Sequence, residues 1–237
     1  MSELSVNEIL NQLKKTEQLT SIYVPTQQKD IDFKPITLLQ QKGIMDKVTV
    51  NSFGIVEFFN TIYELINTLT VTDIKGITVI DRINIVLSFR SSINKTYEGV
   101  DLPTLLIKNR SIVLPVLNKT VKSDKFVFDI SVPSITADYK SNLYLINNFK
   151  DEKQLLGKMM VNELSKFINK LTILNDTDTV IDFNTQSLKN KFTIIESIES
   201  KHFNEIFEYI TQIRDIEQEF VKFEDKQIDI GPELFIL

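Results

Sequence analysis

Residues 53–69 read FGIVEFFNTIYELINTL, and residues 125–130 read KFVFDI. In the first stretch Phe53, Val56, Phe59, Ile62, Tyr63, Ile66 and Leu69 recur at spacings of three and four, which lines one face of an α-helix. In the second, Phe126, Phe128 and Ile130 alternate with Val127 and Asp129, as a strand with one buried face requires. A chain that carries both periods in separate segments predicts an α+β fold.

Before the long helix, Ser5-Val6-Asn7-Glu8 has the spacing of a capping box and predicts a helix running to about Lys15. Ser21-Ile22-Tyr23-Val24 and Ile31-Asp32-Phe33-Lys34 flank the polar run 26–30 and predict a hairpin closed by Pro25 and Pro35. Helical spacing begins at Thr37, and Asn51 or Ser52 is the expected cap of the long helix. Ile80, Ile83, Val86, Leu87 and Arg90 share one side of a further helix, with strand as its competitor because of the β-branched content.

Residues 105–107, 111–114, 125–130 and 143–146 are short apolar runs separated by Asn, Asp, Lys, Ser and Pro. They predict a β-rich insert between helical parts. Helix is expected again from Leu155 through Met159, Met160, Leu164, Phe167 and Ile168 to Leu171, followed by a polar break at 175–179. Short helices are expected over 187–200, with Thr193-Ile194-Ile195-Glu196 as a second capping box, and a helix from Phe203 to Ile216. A terminal hairpin pairs 219–223 with 227–230, and the apolar tail 233–237 is expected to pack on its own domain. The reading divides the chain into 1–96 (hairpin and helices), 97–150 (β-rich insert) and 151–237 (helices and hairpin), with the last able to close on the first as one compact domain.

Composition narrows function. The 237 residues are 42% hydrophobic and 25% charged, enough for a sizeable core without staples. Zero cysteines exclude disulfides, thiolate chemistry and Cys-based zinc sites. Met1-Ser2-Glu3-Leu4-Ser5 has no signal-peptide pattern, and no apolar run reaches the roughly 18 residues of a membrane span. The expectation is a soluble protein that stays where it is made. Net charge is −5 with both signs interspersed, and the best basic cluster, Lys119 to Lys125, reads as a solvated turn. Nucleic acid is therefore not an expected partner.

Motifs for chemistry are absent. The single histidine, His202, has no nucleophile beside it and reads as a surface or capping residue. Six glycines are scattered singly, so no phosphate-cradling loop forms. Asp176, Asp178 and Asp182 resemble the start of a calcium loop but lack its glycine and distal glutamate, and read as a polar loop. Asn94, Asn118 and Asn175 open glycosylation sequons that mean nothing without a secretory route. Phe58, Phe59 and Tyr63 read as core rather than as partner anchors. No catalytic, cofactor-binding or metal residue is assigned, and no cofactor is expected.

Three segments together resemble the baseplate hub family of T4-like contractile-tailed phages. The opening hairpin Tyr23-Val24-Pro25 through Ile31-Asp32-Phe33-Lys34-Pro35-Ile36 is similar to that family's polar turn followed by phenylalanine, a basic residue and proline. The run Ile85-Val86-Leu87-Ser88-Phe89-Arg90-Ser91-Ser92 looks like its apolar helix closing on leucine, arginine and small polar residues. The last is Ile194-Ile195-Glu196-Ser197-Ile198 to Phe203-Asn204-Glu205-Ile206, followed by a hairpin and an apolar end. The resemblance covers most of the chain in order and spacing. It implies a non-catalytic structural or assembly (chaperone-like) protein of the tail baseplate hub, found in the host cytoplasm during assembly or in the virion. Its partners would be other phage tail proteins, with no nucleic acid, membrane or small-molecule substrate. The alternatives are a hydrolase with a dispersed carboxylate site and a cytoplasmic adaptor unrelated to phage.

Overall fold

The computed structural model describes residues 5–15, 18–46, 53–71, 74–149, 155–175 and 177–236, so the expected caps Asn51 and Ser52 lie outside the described residues. The chain is α+β, a helical body carrying small antiparallel sheets. Helix α1 (Val6–Lys15) starts on the expected box: Glu8 N–H donates to Ser5 Oγ at 3.3 Å, and Ser5 N–H donates to Glu8 Oε2 at 2.8 Å. Strands β1 (Thr20–Val24) and β2 (Lys29–Phe33) form the predicted hairpin, with Ile22, Val24, Ile31 and Phe33 buried and Ser21, Asp30 and Asp32 facing out. Pro25 opens the 3-10 turn between them, where its fixed φ suits the helical start. Gln28, at φ +50°, completes the reversal.

Helix α2 (Leu38–Met45) begins on a reciprocal Thr37–Gln40 box, and α3 (Gly54–Leu69) follows. Phe58, Phe59 and Tyr63 are all buried, as read. Helix α4 (Asp81–Ile93) is buried almost all round, which marks a central helix rather than a one-sided one. The hairpin is tied to its first turn by Asp81. That carboxylate accepts from Thr26 N–H (2.8 Å), Thr26 Oγ1 (2.5 Å), Thr78 N–H (2.7 Å) and Thr78 Oγ1 (3.0 Å). Burial nevertheless pushes the Asp81 carboxyl above its ordinary value.

The middle of the chain differs from the expected β-rich insert. A two-residue reversal at Glu98 (φ +49°) and Gly99 (φ +76°) joins β3 (Thr96–Tyr97) to β4 (Val100–Asp101). Residues 105–107 lie in α5 (Leu102–Asn109), capped by Asp101 with Pro103 in the first turn, and 111–114 form no strand. Strands β5 (Asn118–Lys122) and β6 (Phe126–Ser131) are present, but 143–146 belong to α6 (Ile135–Phe149). The reason is period: Ile135, Asp138, Ser141, Asn142 and Leu145 are buried at helical spacing, which a four-residue window does not reveal.

Helix α7 (Leu155–Phe167) ends earlier than read, because Ile168 and Leu171 lie on β7 (Ile168–Ile173). Strand β7 continues directly from α7 and pairs with β6 on one side and β8 (Thr179–Asp182) on the other. The resulting antiparallel order β5-β6-β7-β8 joins strands from both sides of residue 150. Helix α8 (Leu188–Glu196) is capped by Ser187, whose Oγ accepts from Asn190 N–H. The expected box at Thr193 is not formed, because Thr193 sits inside the helix and its hydroxyl donates to the Lys189 carbonyl.

Helix α9 (Asn204–Val221) absorbs Glu219–Val221, so the last hairpin shortens to β9 (Lys222–Phe223) and β10 (Lys226–Gln227). The apolar stretch packs at home through Leu234 and Phe235, while Ile236 is half exposed and Leu237 lies outside the described residues. Leu234 and Phe235 are fully buried, Gln41 Nε2 donates to the Phe235 carbonyl at 2.8 Å, and the Phe58 and Phe235 rings lie 6.4 Å apart. One hydrophobic cluster draws on all three sequence segments, among them Phe58, Phe128 and Phe235. Replacing Phe235 by alanine is expected to destabilise the protein by about 3–5 kcal/mol, read as a lower urea midpoint at unchanged slope.

Candidate functional site

Charged side chains rarely enter a core unless paired. Here four helices bring a group of them together, and a fifth adds Tyr63. Asp138 on α6 is 1% exposed. Its Oδ1 accepts from Lys166 Nζ at 2.7 Å, and its Oδ2 accepts from Tyr63 Oη at 2.6 Å and Asn142 Nδ2 at 3.1 Å. Arg82 on α4 donates through Nε and Nη2 to the two Glu217 oxygens at 2.7 and 3.1 Å, and lies 3.5 Å from Asp138. Glu163 pairs with Lys166 and, at 3.8 Å, with Arg214. Three cations thus answer three carboxylates around a cavity of about 100 Å³.

The two innermost acids are driven in opposite directions. Burial would raise Asp138, but Lys166 and then Arg82 outweigh it and hold the carboxyl below its ordinary 3.8. For Glu217 burial prevails over the Arg82 pair, and the carboxyl lies above its ordinary range. Burial also raises the Tyr63 hydroxyl well above its ordinary value.

A second feature lies on the surface. Two apolar hollows of about 270 and 370 Å³ share Met160 of α7 and Phe207 of α9. Val161, Leu164, Ile195 and Phe203 line the first, and Leu145, Leu156, Met159 and Ile210 line the second. Leu156 is 83% and Met160 47% exposed, so α7 shows bulky apolar side chains to solvent at the edge of this groove. At the rim Lys158 pairs with Glu196 at 2.7 Å. Arg214 is well exposed, and its acid neighbour Glu163 is already engaged by Lys166.

The residues singled out from sequence lie elsewhere. His202 is neither at the surface nor a cap. It is 4% exposed, with Nδ1 3.1 Å from Asp124 Oδ1 and the ring edge-on to Phe126 at 4.9 Å. The 3-10 turn Ser200–Phe203 turns it inward with Phe203, although Lys201 beside it is solvated. Asp176 lies outside the described residues, Asp178 occupies the β7–β8 turn at φ +41°, and Asp182 caps a 3-10 turn through Asn184 N–H. Among the described residues no group of three His, Asp or Glu is arranged to hold a metal, and no helix is long and apolar enough to cross a membrane. Lys119 and Lys122 are exposed on β5, at one edge of the four-stranded sheet.

Sequence reasoning passed over the ionic cluster. Its signal was nonetheless present: Glu163 and Lys166 fall one and two turns after Met159 on an otherwise apolar stripe, and Glu217 follows Ile213 in the same way. Among known proteins, no family model, no curated protein and no solved structure matches this chain.

Removing one partner leaves the others charged and buried, so Asp138→Asn is expected to cost about 3–5 kcal/mol at neutral pH. The sign of the pH dependence follows from the lowered Asp138 value. Its stabilisation is complete above the ordinary carboxylate range and is lost as pH falls through the folded-state value. The stability gap between wild type and Asp138→Asn therefore narrows on acidification, measured by urea unfolding at a series of pH values.

Proposed function

We propose that this protein is a non-catalytic binding protein that seats a helix of a neighbouring protein in the groove between α7 and α9. The observation that carries this reading is the pairing of exposed Leu156 and Met160 with two apolar hollows. A partner helix supplies apolar anchors at one-turn spacing, which is the usual way an amphipathic helix fills such a groove. Methionine lines it well because its flexible, polarizable side chain adapts to the anchor. Opposite Arg214 the partner carries a carboxylate, since that guanidinium is exposed and its ion-pair partner Glu163 is shared with Lys166. A stable contact would bury roughly 1,200–2,000 Å² in total.

The resemblance to phage tail hub proteins supplies the setting: a structural or assembly component of a contractile tail baseplate hub, acting in the host cytoplasm or in the virion. Mixing the purified protein with the tail proteins encoded beside it tests this. Capture of a hub protein by wild type, weakened by about 2 kcal/mol or more in Met160→Glu, supports the reading. A monomer that ignores every tail protein refutes it, and a partner of cellular origin at the same groove makes the protein an adaptor instead. Met160 is half exposed, so the substitution is expected to leave stability within about 0.5 kcal/mol.

One observation favours a second reading. Asp138 held low and Glu217 held high are the pattern of an acid–base carboxylate pair. Against it, the cavity is about 100 Å³, below the roughly 300 Å³ at which ligand sites begin, and both carboxylates are held by cations. A hydrolytic activity on cell-wall or nucleic-acid substrates that disappears in Glu217→Gln would establish the enzyme reading.

A further inference from the structure

A separate cavity of about 290 Å³ opens where the β6–α6 connection meets the α7–β7 junction and the start of α8. Its chemistry differs from that of the groove. No aspartate or glutamate lines it, in a chain with 32 acidic residues, and the only ionisable side chains on its wall are Lys166 and Lys191. The Lys166 ammonium is engaged by Asp138 and Glu163. Lys191 is half-buried, and among the described residues its ammonium has neither an ion pair nor a hydrogen bond. Burial lowers its pKa, and the charge of Asp182 offsets this only in part.

Neutral donors line the same cavity. Ser131 Oγ accepts from Asn169 Nδ2 at 2.7 Å, which leaves the serine hydrogen to point elsewhere. Ser134 Oγ accepts from Ala137 N–H at 3.2 Å as the cap of α6, and likewise keeps its own hydrogen. The Asn184 side-chain amide has no hydrogen-bond partner among the described residues. One ammonium, two hydroxyls and an amide thus line one space, supplying more donors than the two oxygens of a carboxylate use. The three terminal oxygens of a phosphoryl group match them better, and charge-assisted bonds to such oxygens are strong. The volume sits at the lower end of small-ligand sites, which admits a phosphate with a short organic residue.

We propose that this cavity binds a small phosphorylated anion, with Lys191 as the charged contact and Ser131, Ser134 and Asn184 as neutral donors. The proposal is independent of the α7–α9 groove and stands or falls separately from it. Titration calorimetry of the full chain with inorganic phosphate, glycerol 3-phosphate and acetate tests it. Saturable phosphate binding that weakens about tenfold or more in Lys191→Met, the effect of losing one charge-assisted hydrogen bond, is the expected result. Asn184→Ala, at an exposed side chain, should weaken binding less, and Lys189→Met, outside the cavity, should not change it. Tighter binding of glycerol 3-phosphate assigns a phosphomonoester, and equal binding assigns free phosphate. No saturable heat with either phosphate, acetate bound as tightly as phosphate, or a Lys191→Met protein that binds like wild type would overturn the proposal.

Discussion

The structure depends on keeping one buried carboxylate compensated. Asp138 sits where α3, α4, α6, α7 and α9 converge, and each neighbouring helix sends at least one polar group toward it or toward its cations. Stripping water from a carboxylate is costly, so the site tolerates only arrangements in which Lys166 and Arg82 are both in reach. Arg82 in turn needs Glu217. The result is a directional constraint on five helices that apolar packing alone does not impose. An apolar cluster of the same volume would hold the helices as firmly, but it would not prescribe their rotation about their own axes.

Helix α7 shows how that constraint reaches the surface. Glu163 and Lys166 turn inward to the ionic cluster, which fixes the rotation of the helix. Leu156 and Met160 are then left on the solvent side beside α9, and Ser165 faces the polar cavity near β7. One helix therefore borders three chemically distinct environments. A change at the centre would reach both outer surfaces, because Lys166 also lines the polar cavity and Glu163 the groove.

Much of the architecture was legible in the sequence where a single period ran long enough. The Ser5–Glu8 box, the 20–33 hairpin, the stripe of α3 and the alternation of β6 all appear at or near the predicted positions. The failures share a cause. Residues 105–107 and 143–146 are apolar tetrads at most, too short to separate a strand from one turn of helix, and their caps lay outside the window. Ile168 and Leu171 kept helical spacing by coincidence, and only pairing with β6 and β8 makes this segment a strand. The candidate sites were harder to see, because they are made by charges from separate helices and by donors from separate loops. Nothing in local spacing announces that Arg82 will meet Glu217 across 135 positions.

Phe235 stands 194 positions after Gln41, whose amide it holds in the core. Until both have been made, α2 has α3 beside it but lacks the turn around Phe235, so part of its apolar face stays uncovered. Closure by so distant a segment is slow compared with local helix formation. During that delay the chain is exposed to aggregation, which gives chaperones a defined interval in which to act.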